Sequence, residues 1–364
     1  MSDPPSNSEQ LPPHRYSQTG ALVLSRVLER VEAPLALVER ALRGQLHSDL
    51  PLLAELGSHL LGAGGKRLRP ALLLLAAELC DYTGPRRIGI AAAIELLHTA
   101  TLLHDDVVDA SSLRRGRPTA NAVWGNQRAV LAGDFLYARA SSMVVEDGSV
   151  EILEIFAAAI QRIAEGELLQ LERSFDINIS ESLYFEIIER KSAVLLAGAC
   201  EAGAILGGVT RAERRQVAAF GRHLGLAFQL KDDALDYDTS SAILGKPRYA
   251  DLAEGKVTLP LLLTLKRCSP AEYEEISRRV KRAAECAPGD FDGDSDSDSD
   301  SGPGSPPEVE SVVELVDRHR GVADTLRRGE EEVNRAIASI AAFPDSAAKQ
   351  ALVSAAAYAI SRDR

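Results

Sequence analysis

The sequence predicts an all-α protein, and three observations carry that expectation. Aromatic residues are sparse, at 5%, while Ala and Leu are abundant, a composition that suits helix better than sheet. Apolar residues recur at three- and four-residue spacing over long windows. Period-two alternation, the mark of a half-buried strand, survives nowhere along the chain. Helices of several turns with wide apolar faces must pack on one another around a shared core. The 364 residues suffice for one large core or for two ordinary domains.

Taken in order, the elements have these grounds. Residues 1–19, opening MSDPPSNSEQLPP, are polar and Pro-rich and read as a disordered lead. From Gly20 to Leu46 the apolar positions Leu24, Val27, Leu28, Val31, Leu35 and Val38 predict a helix. Ser48 and Asp49 offer an N-cap and Pro51 a first turn for a helix to Leu61, stopped by Gly62, Gly64 and Gly65. The next helix runs from Leu68–Pro70 to Asp81. After the turn Thr83-Gly84-Pro85 comes a long apolar helix carrying His98, and Gly116 and Pro118 close that segment. Trp124 to Glu146, Val150 to Glu172, Ser180 to Leu206 and Thr210 to Tyr237 all read as helices. Leu244 to Lys256 is an interrupted loop, followed by helices at Thr258–Cys268 and Pro270–Cys286. The tract 287–308, with GDFDGDSDSDSDSGPGSPP, has almost nothing to bury and reads as a disordered acidic insert. Helices resume at Val309 and near Thr325, and the last runs from Pro344 to Ile360.

Composition excludes several functions. A formal charge of −12 argues against a nucleic-acid partner that needs a broad basic face. Cys80, Cys200, Cys268 and Cys286 are far apart, lack metal-ligand spacing and read as reduced thiols of a cytoplasmic protein. No apolar run reaches the ~18 residues of a membrane span, so no membrane anchor is expected.

Chemistry concentrates in LLHDDVVDASSLRRGRPT, Leu102 to Thr119. Asp105, Asp106 and Asp109 precede Arg114, Arg115 and Arg117, and the same Asp-Asp-x-x-Asp spacing returns as Asp232, Asp233 and Asp236 in FQLKDDALDYD. Residues four apart share a helix face, so Asp105 aligns with Asp109 and Asp232 with Asp236. A lone acidic cluster is usually a solvated face, but both of these sit in apolar surroundings, where an unpartnered carboxylate is expensive. Hard oxygen ligands in this number suit Mg²⁺, which keeps waters, takes one or two carboxylates and completes its shell with substrate phosphate. Two such motifs facing each other would clamp a diphosphate.

Five segments in order, GGKRLRP at Gly64, LLHDDVVD with RRGRPT, GDFLYARA at Gly133, FQLKDDALDY and DLAEGKVTLPLL at Asp251, resemble the polyprenyl synthetase family of trans-isoprenyl diphosphate synthases. The wording HTATLLHDDVVD is similar to long-chain enzymes of the octaprenyl diphosphate synthase type. The resemblance implies one domain, residues 20–364, of long antiparallel helices around a central cavity. It implies repeated condensation of isopentenyl diphosphate onto an allylic diphosphate, with three Mg²⁺ ions. Asp105 and Asp109 would hold two ions with Asp106 nearby, and Asp232 the third, supported by Asp233 and Asp236. Arg114, Lys191, Ser192, Gln229, Lys246 and Lys256 would grip the allylic diphosphate; Lys66, Arg69, His98 and Arg115 would hold isopentenyl diphosphate. Ser192 stands where the family commonly has Thr, which keeps the hydroxyl; Lys231 stands where an apolar residue is common. The released pyrophosphate is the implied base, and a homodimer the implied assembly.

Ala100 and Thr101, five and four residues before Asp105, lie roughly 6–8 Å along the helix from the clamp. Neither is bulky, so a deep pocket and a product of about C40 are expected, for a quinone side chain. A shorter-chain farnesyl or geranylgeranyl synthase is the alternative. A terpene cyclase has no use for GGKRLRP, and an inactive subunit would have lost aspartates that are intact here.

Overall fold

Seventeen helices, one π-helical turn and one minimal hairpin make up the described parts of this computed structural model, residues 20–46, 49–62, 65–114, 116–237, 249–286 and 307–362. The N-terminal lead, Arg115, Lys246 and the acidic tract 287–306 lie outside the described residues. The first half comprises α1 (Gly20–Arg30), α2 (Glu32–Gln45), α3 (Pro51–Gly62), α4 (Leu68–Leu79), α5 (Arg86–Val108), β1 (Leu113–Arg114), β2 (Arg117–Pro118), α6 (Ala120–Trp124) and α7 (Asn126–Asp147). Then follow α8 (Val150–Glu172), α9 (Glu181–Ile188), the π turn (Glu189–Ala193), α10 (Val194–Leu206) and α11 (Arg211–Asp236). Last come α12 (Ala250–Ala253), α13 (Leu259–Leu265), α14 (Pro270–Cys286), α15 (Pro307–Arg318), α16 (Gly321–Ser339) and α17 (Ala347–Ser361).

The departures from expectation have local causes. The helix predicted over 20–46 breaks at Val31, whose φ of −116° and ψ of 18° are not helical. Pro34 lies in the first turn of α2 and has no N–H for an uninterrupted helix. The helix predicted over 180–206 is interrupted by the π turn. Pro307 and Glu308 open α15 instead of closing the acidic tract. A 250–253 turn of helix occupies the expected loop, and Gly125, at φ 83°, separates α6 from α7.

Neighbouring helices run antiparallel. Arg86 pairs with Asp147 and His104 with Val130, which sets α5 against α7. Arg214 pairs with Glu201 and Gln229 meets Ser192, which sets α11 against α10 and the π turn. The α10–α11 contact is close enough to require glycine: a Cβ on Gly221 would lie 2.4 Å from the Leu196 carbonyl oxygen. One apolar cluster joins α1, α2, α4, α5, α7, α10, α17 and the first turns of α11; a second joins α9, α13, α14 and α15 to the end of α11. Both acidic motifs therefore sit at the ends of helices whose other turns are locked in core. Among the described residues, no helix is long and apolar enough to cross a membrane.

Candidate active site

A cavity of about 400 Å³ opens between α5, α8, the π turn and α11. Asp105 and Asp109 enter it from α5, and Asp232, Asp233 and Asp236 from α11. Leu102, Ile163, Ile187 and Leu195 extend the wall on an apolar course. The two acidic turns thus face one space.

Asp105 is held up to about 7, first by burial and then by the nearby Glu167 carboxylate, with Lys191 acting in the opposite direction. Asp106 turns away from the cavity: it is 4% exposed and accepts a 2.7 Å bond from Arg114 Nε. Burial raises its pKa, Arg114 notwithstanding. Asp109 caps α5 and receives Lys256 Nζ at 3.2 Å on both oxygens. Burial alone would lower the Lys256 ammonium, but Asp109, Glu254 and Asp251 outweigh it and hold it protonated. Gly133 of α7 leaves room for the ring of His104, next to Asp105 in sequence: a Cβ there would lie 2.2 Å from His104 Nε2.

On α11 the three aspartates have different surroundings. Asp232 is 54% exposed at its side chain and pairs with Arg362 Nη2 at 2.8 Å. Arg362 is itself held by the Phe228 carbonyl at 2.8 Å and stacks 4.6 Å from the Phe228 ring centroid. Asp233, 1% exposed, accepts from the Tyr184 hydroxyl at 2.5 Å and from Gln229 Nε2 at 2.8 Å. Burial and Asp251 push it up to about 8 against those two bonds. Asp236 accepts the Asp251 backbone N–H at 3.3 Å, which ties the DLAEGK segment to the motif.

The cations arrive from several elements. The π turn Glu189–Ala193 presents Lys191 and Ser192 to the cavity. Lys191 Nζ donates to Glu167 at 2.8 Å, and Ser192 Oγ donates to Gln229 Oε1 at 2.7 Å. The second bond passes the register of the turn through Gln229 to Asp233. A π bulge widens one turn of helix and recurs at functional sites because it redirects side chains without breaking the rod. Arg69 and His98 line the cavity on the α4–α5 side, while Lys66 is exposed, its Nζ 5.5 Å from the Tyr358 ring centroid.

The donor set fits hard divalent cations. Four carboxylates of the motifs share the cavity with Asp233, and burial, followed by the neighbouring Glu167 and Asp109 carboxylates, raises Asp105. Among the described residues, no three His, Cys, Asp or Glu side chains converge tightly enough to hold a metal by themselves. A cation here would complete its shell with water and substrate oxygens, the habit of Mg²⁺.

The sequence profile described as Polyprenyl synthetase matches residues 50–289. This chain is 40% identical over 341 residues to the octaprenyl diphosphate synthase of Escherichia coli (strain K12), covering 94% of this chain and 99% of that one. It is 41% identical to a polyprenyl synthase from Caulobacter crescentus CB15, solved with calcium and isoprenyl diphosphate. That structure superposes with a TM-score of 0.84 over 94% of this chain and 98% of its own. A decaprenyl diphosphate synthase from Rhodobacter capsulatus, 35% identical, also gives 0.84, with 94% and 99% coverage. The chain belongs to the polyprenyl synthetase family.

As a polyprenyl synthetase, it brings four of the five segments quoted from its sequence to one cavity, while GDFLYARA lies on α7 and supplies no lining residue. Asp106 does not line the space; it holds Arg114, which does. Ala100 does not line it either: at 1% exposure it packs in the main core, and Thr101 alone of that pair reaches the wall. Arg115 and Lys246 lie outside the described residues. Sequence reasoning missed Glu167, Gln170, Arg173, Tyr184, Asp251 and Arg362. Glu167 carried a readable signal, a carboxylate in the apolar stretch EGELLQL. Arg362 carried none, since nothing in its spacing links it to Asp232, 130 residues earlier.

Proposed function

We propose that this protein is a trans-prenyltransferase, which condenses isopentenyl diphosphate repeatedly onto an allylic diphosphate to give an all-trans product of about C40, destined for a quinone side chain. The observation that carries the reading is the meeting of two Asp-Asp-x-x-Asp turns and their cations in one cavity whose wall continues as apolar side chains. Asp105, Asp109 and Asp232 are the residues that would hold three Mg²⁺ ions, whose chemistry is to absorb the charge of a departing pyrophosphate.

The chain's own groups do the rest. Lys191, Lys256 and Gln229 grip the allylic diphosphate, with Arg114 braced by Asp106. Asp233 and Asp236 act one step back: Asp233 orients Gln229, and Asp236 holds the Asp251–Lys256 segment in place. Arg69 and His98, with Lys66 above them, take isopentenyl diphosphate on the α4–α5 side. The nonpolar wall of Leu102, Ile163 and Leu195 shelters an allyl cation from water and receives the growing tail. No side chain is assigned as the base; the departing pyrophosphate takes the proton.

The assembly is a homodimer. Support for it comes from the exposed Leu131, Val145, Val150, Leu153, Leu168 and Leu171 on α7 and α8, large apolar residues that a second copy would cover.

Incubation with isopentenyl diphosphate, farnesyl diphosphate and Mg²⁺, followed by chromatographic sizing, tests the reading. A ladder ending near C40 is expected, and one ending at C15 or C20 would select the shorter-chain alternative. Asp105→Ala and Asp232→Ala should each abolish the ladder; undiminished turnover in either would end the argument.

A further inference from the structure

GGKRLRP brings three cations, Lys66, Arg67 and Arg69, within four positions, yet they part company in space. Arg69 lines the cavity and Lys66 is exposed, but Arg67 turns inward. Its backbone is left-handed, at φ 46° and ψ 34°, a conformation that a long side chain adopts only when its surroundings compel it. Its side chain is 16% exposed. Nη1 donates to Glu95 Oε1 at 2.9 Å, and Nε donates to Glu39. The Arg67 carbonyl accepts the Ala71 N–H at 3.1 Å, the opening bond of α4.

The two acids come from different helices. Glu39 is on α2, and Glu95, only 7% exposed at its side chain, is on α5 three residues before His98. One guanidinium thus joins the loop of Lys66 and the first turn of α4, which carries Arg69, to the helix turn that carries His98. The planar fork of arginine can serve both carboxylates at once, which a lysine ammonium cannot do with the same geometry. The pairing also gives two carboxylates one cation to share. Glu95 without Arg67 would be a buried carboxylate in search of a cation, and Lys66 and Arg69 are the neighbours in sequence that could supply one.

We propose that Arg67 is a positioning residue of the isopentenyl diphosphate site: it fixes the loop against α5 and keeps Glu39 and Glu95 from neutralising the cations meant for the diphosphate. The proposal rests on the reaction assigned above. It concerns one of the two substrates only, because Arg67 bonds to Glu39 and Glu95, whereas the allylic grip is built on Arg114, the π turn, α11 and Lys256.

The test is a split of kinetic constants. Arg67→Gln strands Glu95, and KM for isopentenyl diphosphate should rise about 10–100-fold, the range for loss of a group that orients a ligand-binding shell. KM for farnesyl diphosphate and kcat at saturation should change by less than about threefold. Arg67→Gln/Glu95→Gln removes the stranded charge and should recover most of the loss, and Arg67→Lys should fall between wild type and Arg67→Gln. Calorimetric titration with isopentenyl diphosphate alone should rank the four proteins in the same order. A residue that merely stabilises the fold would lower Tm and the active fraction while leaving both KM values in their original ratio, and that result would overturn the proposal. An equal rise in both KM values would overturn it too. A wild type that turns over neither substrate would instead sink the assigned reaction, and the proposal with it.

Discussion

Tyr184→Phe removes one atom from a buried contact and tests whether Asp233 owes its orientation to α9. The hydroxyl donates to Asp233 Oδ2 at 2.5 Å, and Asp233 is 1% exposed. Its other oxygen keeps the 2.8 Å bond from Gln229. One lost bond to a buried carboxyl should cost about 1–3 kcal/mol, the span between a neutral and an ionised partner. In a chain of this size that lowers Tm by about 2–5 °C. Loosening Asp233 also loosens Gln229 and, through it, Ser192, so kcat should fall about 10–100-fold, as for other groups that hold a binding shell in place. Thermal denaturation followed by circular dichroism gives the first number and a radiolabelled turnover assay the second. In an Asp233→Asn background the same substitution should do much less, because the two residues are coupled. Unchanged Tm and kcat, or full additivity in the double variant, would refute the coupling and leave Gln229 as the sole guide of Asp233.

Four further outcomes are expected. Thr101→Phe places a ring on the cavity wall and should shift the product ladder to shorter chains. Ala100→Phe, aimed into core, should cost stability by about 1–3 kcal/mol from overpacking, and product sizing beside Tm measurement separates the two effects. Gly221→Ala puts a Cβ 2.4 Å from the Leu196 carbonyl, so α10 and α11 must part by about 1 Å. A lower Tm despite the better helix propensity of alanine would report that strain. Glu272, capped by Ser269 and close to His319, is pulled down from 4.5 to about 2. A depressed carboxylate contributes stability that is present above its ordinary value and lost as pH falls through the folded one. The Tm difference between wild type and Glu272→Gln should therefore be full above pH 4.5 and shrink as the pH falls towards 2.

The helices that position the chemistry were legible because their evidence is local. The run from Ile88 to Val108 is apolar on a helical period, and Thr210 with Glu213 forms the capping box that starts α11. What stayed hidden depends on partners remote in sequence. The π turn lies in a stretch whose periodicity reads as plain helix; only its packing on α8, where Glu165 and Glu167 meet Arg190 and Lys191, shows why an extra residue fits there. Ala100 illustrates the opposite error. A small residue on the motif's helix reads equally well as cavity floor or as packing surface, and burial against the core decides for packing. Asp106 belongs to the same class, since adjacency to Asp105 says nothing about which way a neighbouring helical position faces until Arg114 is seen behind it.

Four cations around the cavity have carboxylate company already: Lys191 with Glu167, Lys256 with Asp109, Arg114 with Asp106, Arg362 with Asp232. Admission of a guest is therefore an exchange of ionic companions rather than a simple docking. A bare anion that takes Lys256 abandons Asp109 to its own repulsion, whereas an anion escorted by divalent cations satisfies both sides of every broken pair. Such an entrance should discriminate against phosphate-bearing metabolites that arrive unescorted. It also favours departure, because the original pairs re-form as spent pyrophosphate leaves, and a catalyst that must repeat one condensation many times on a lengthening chain needs that reset at every cycle.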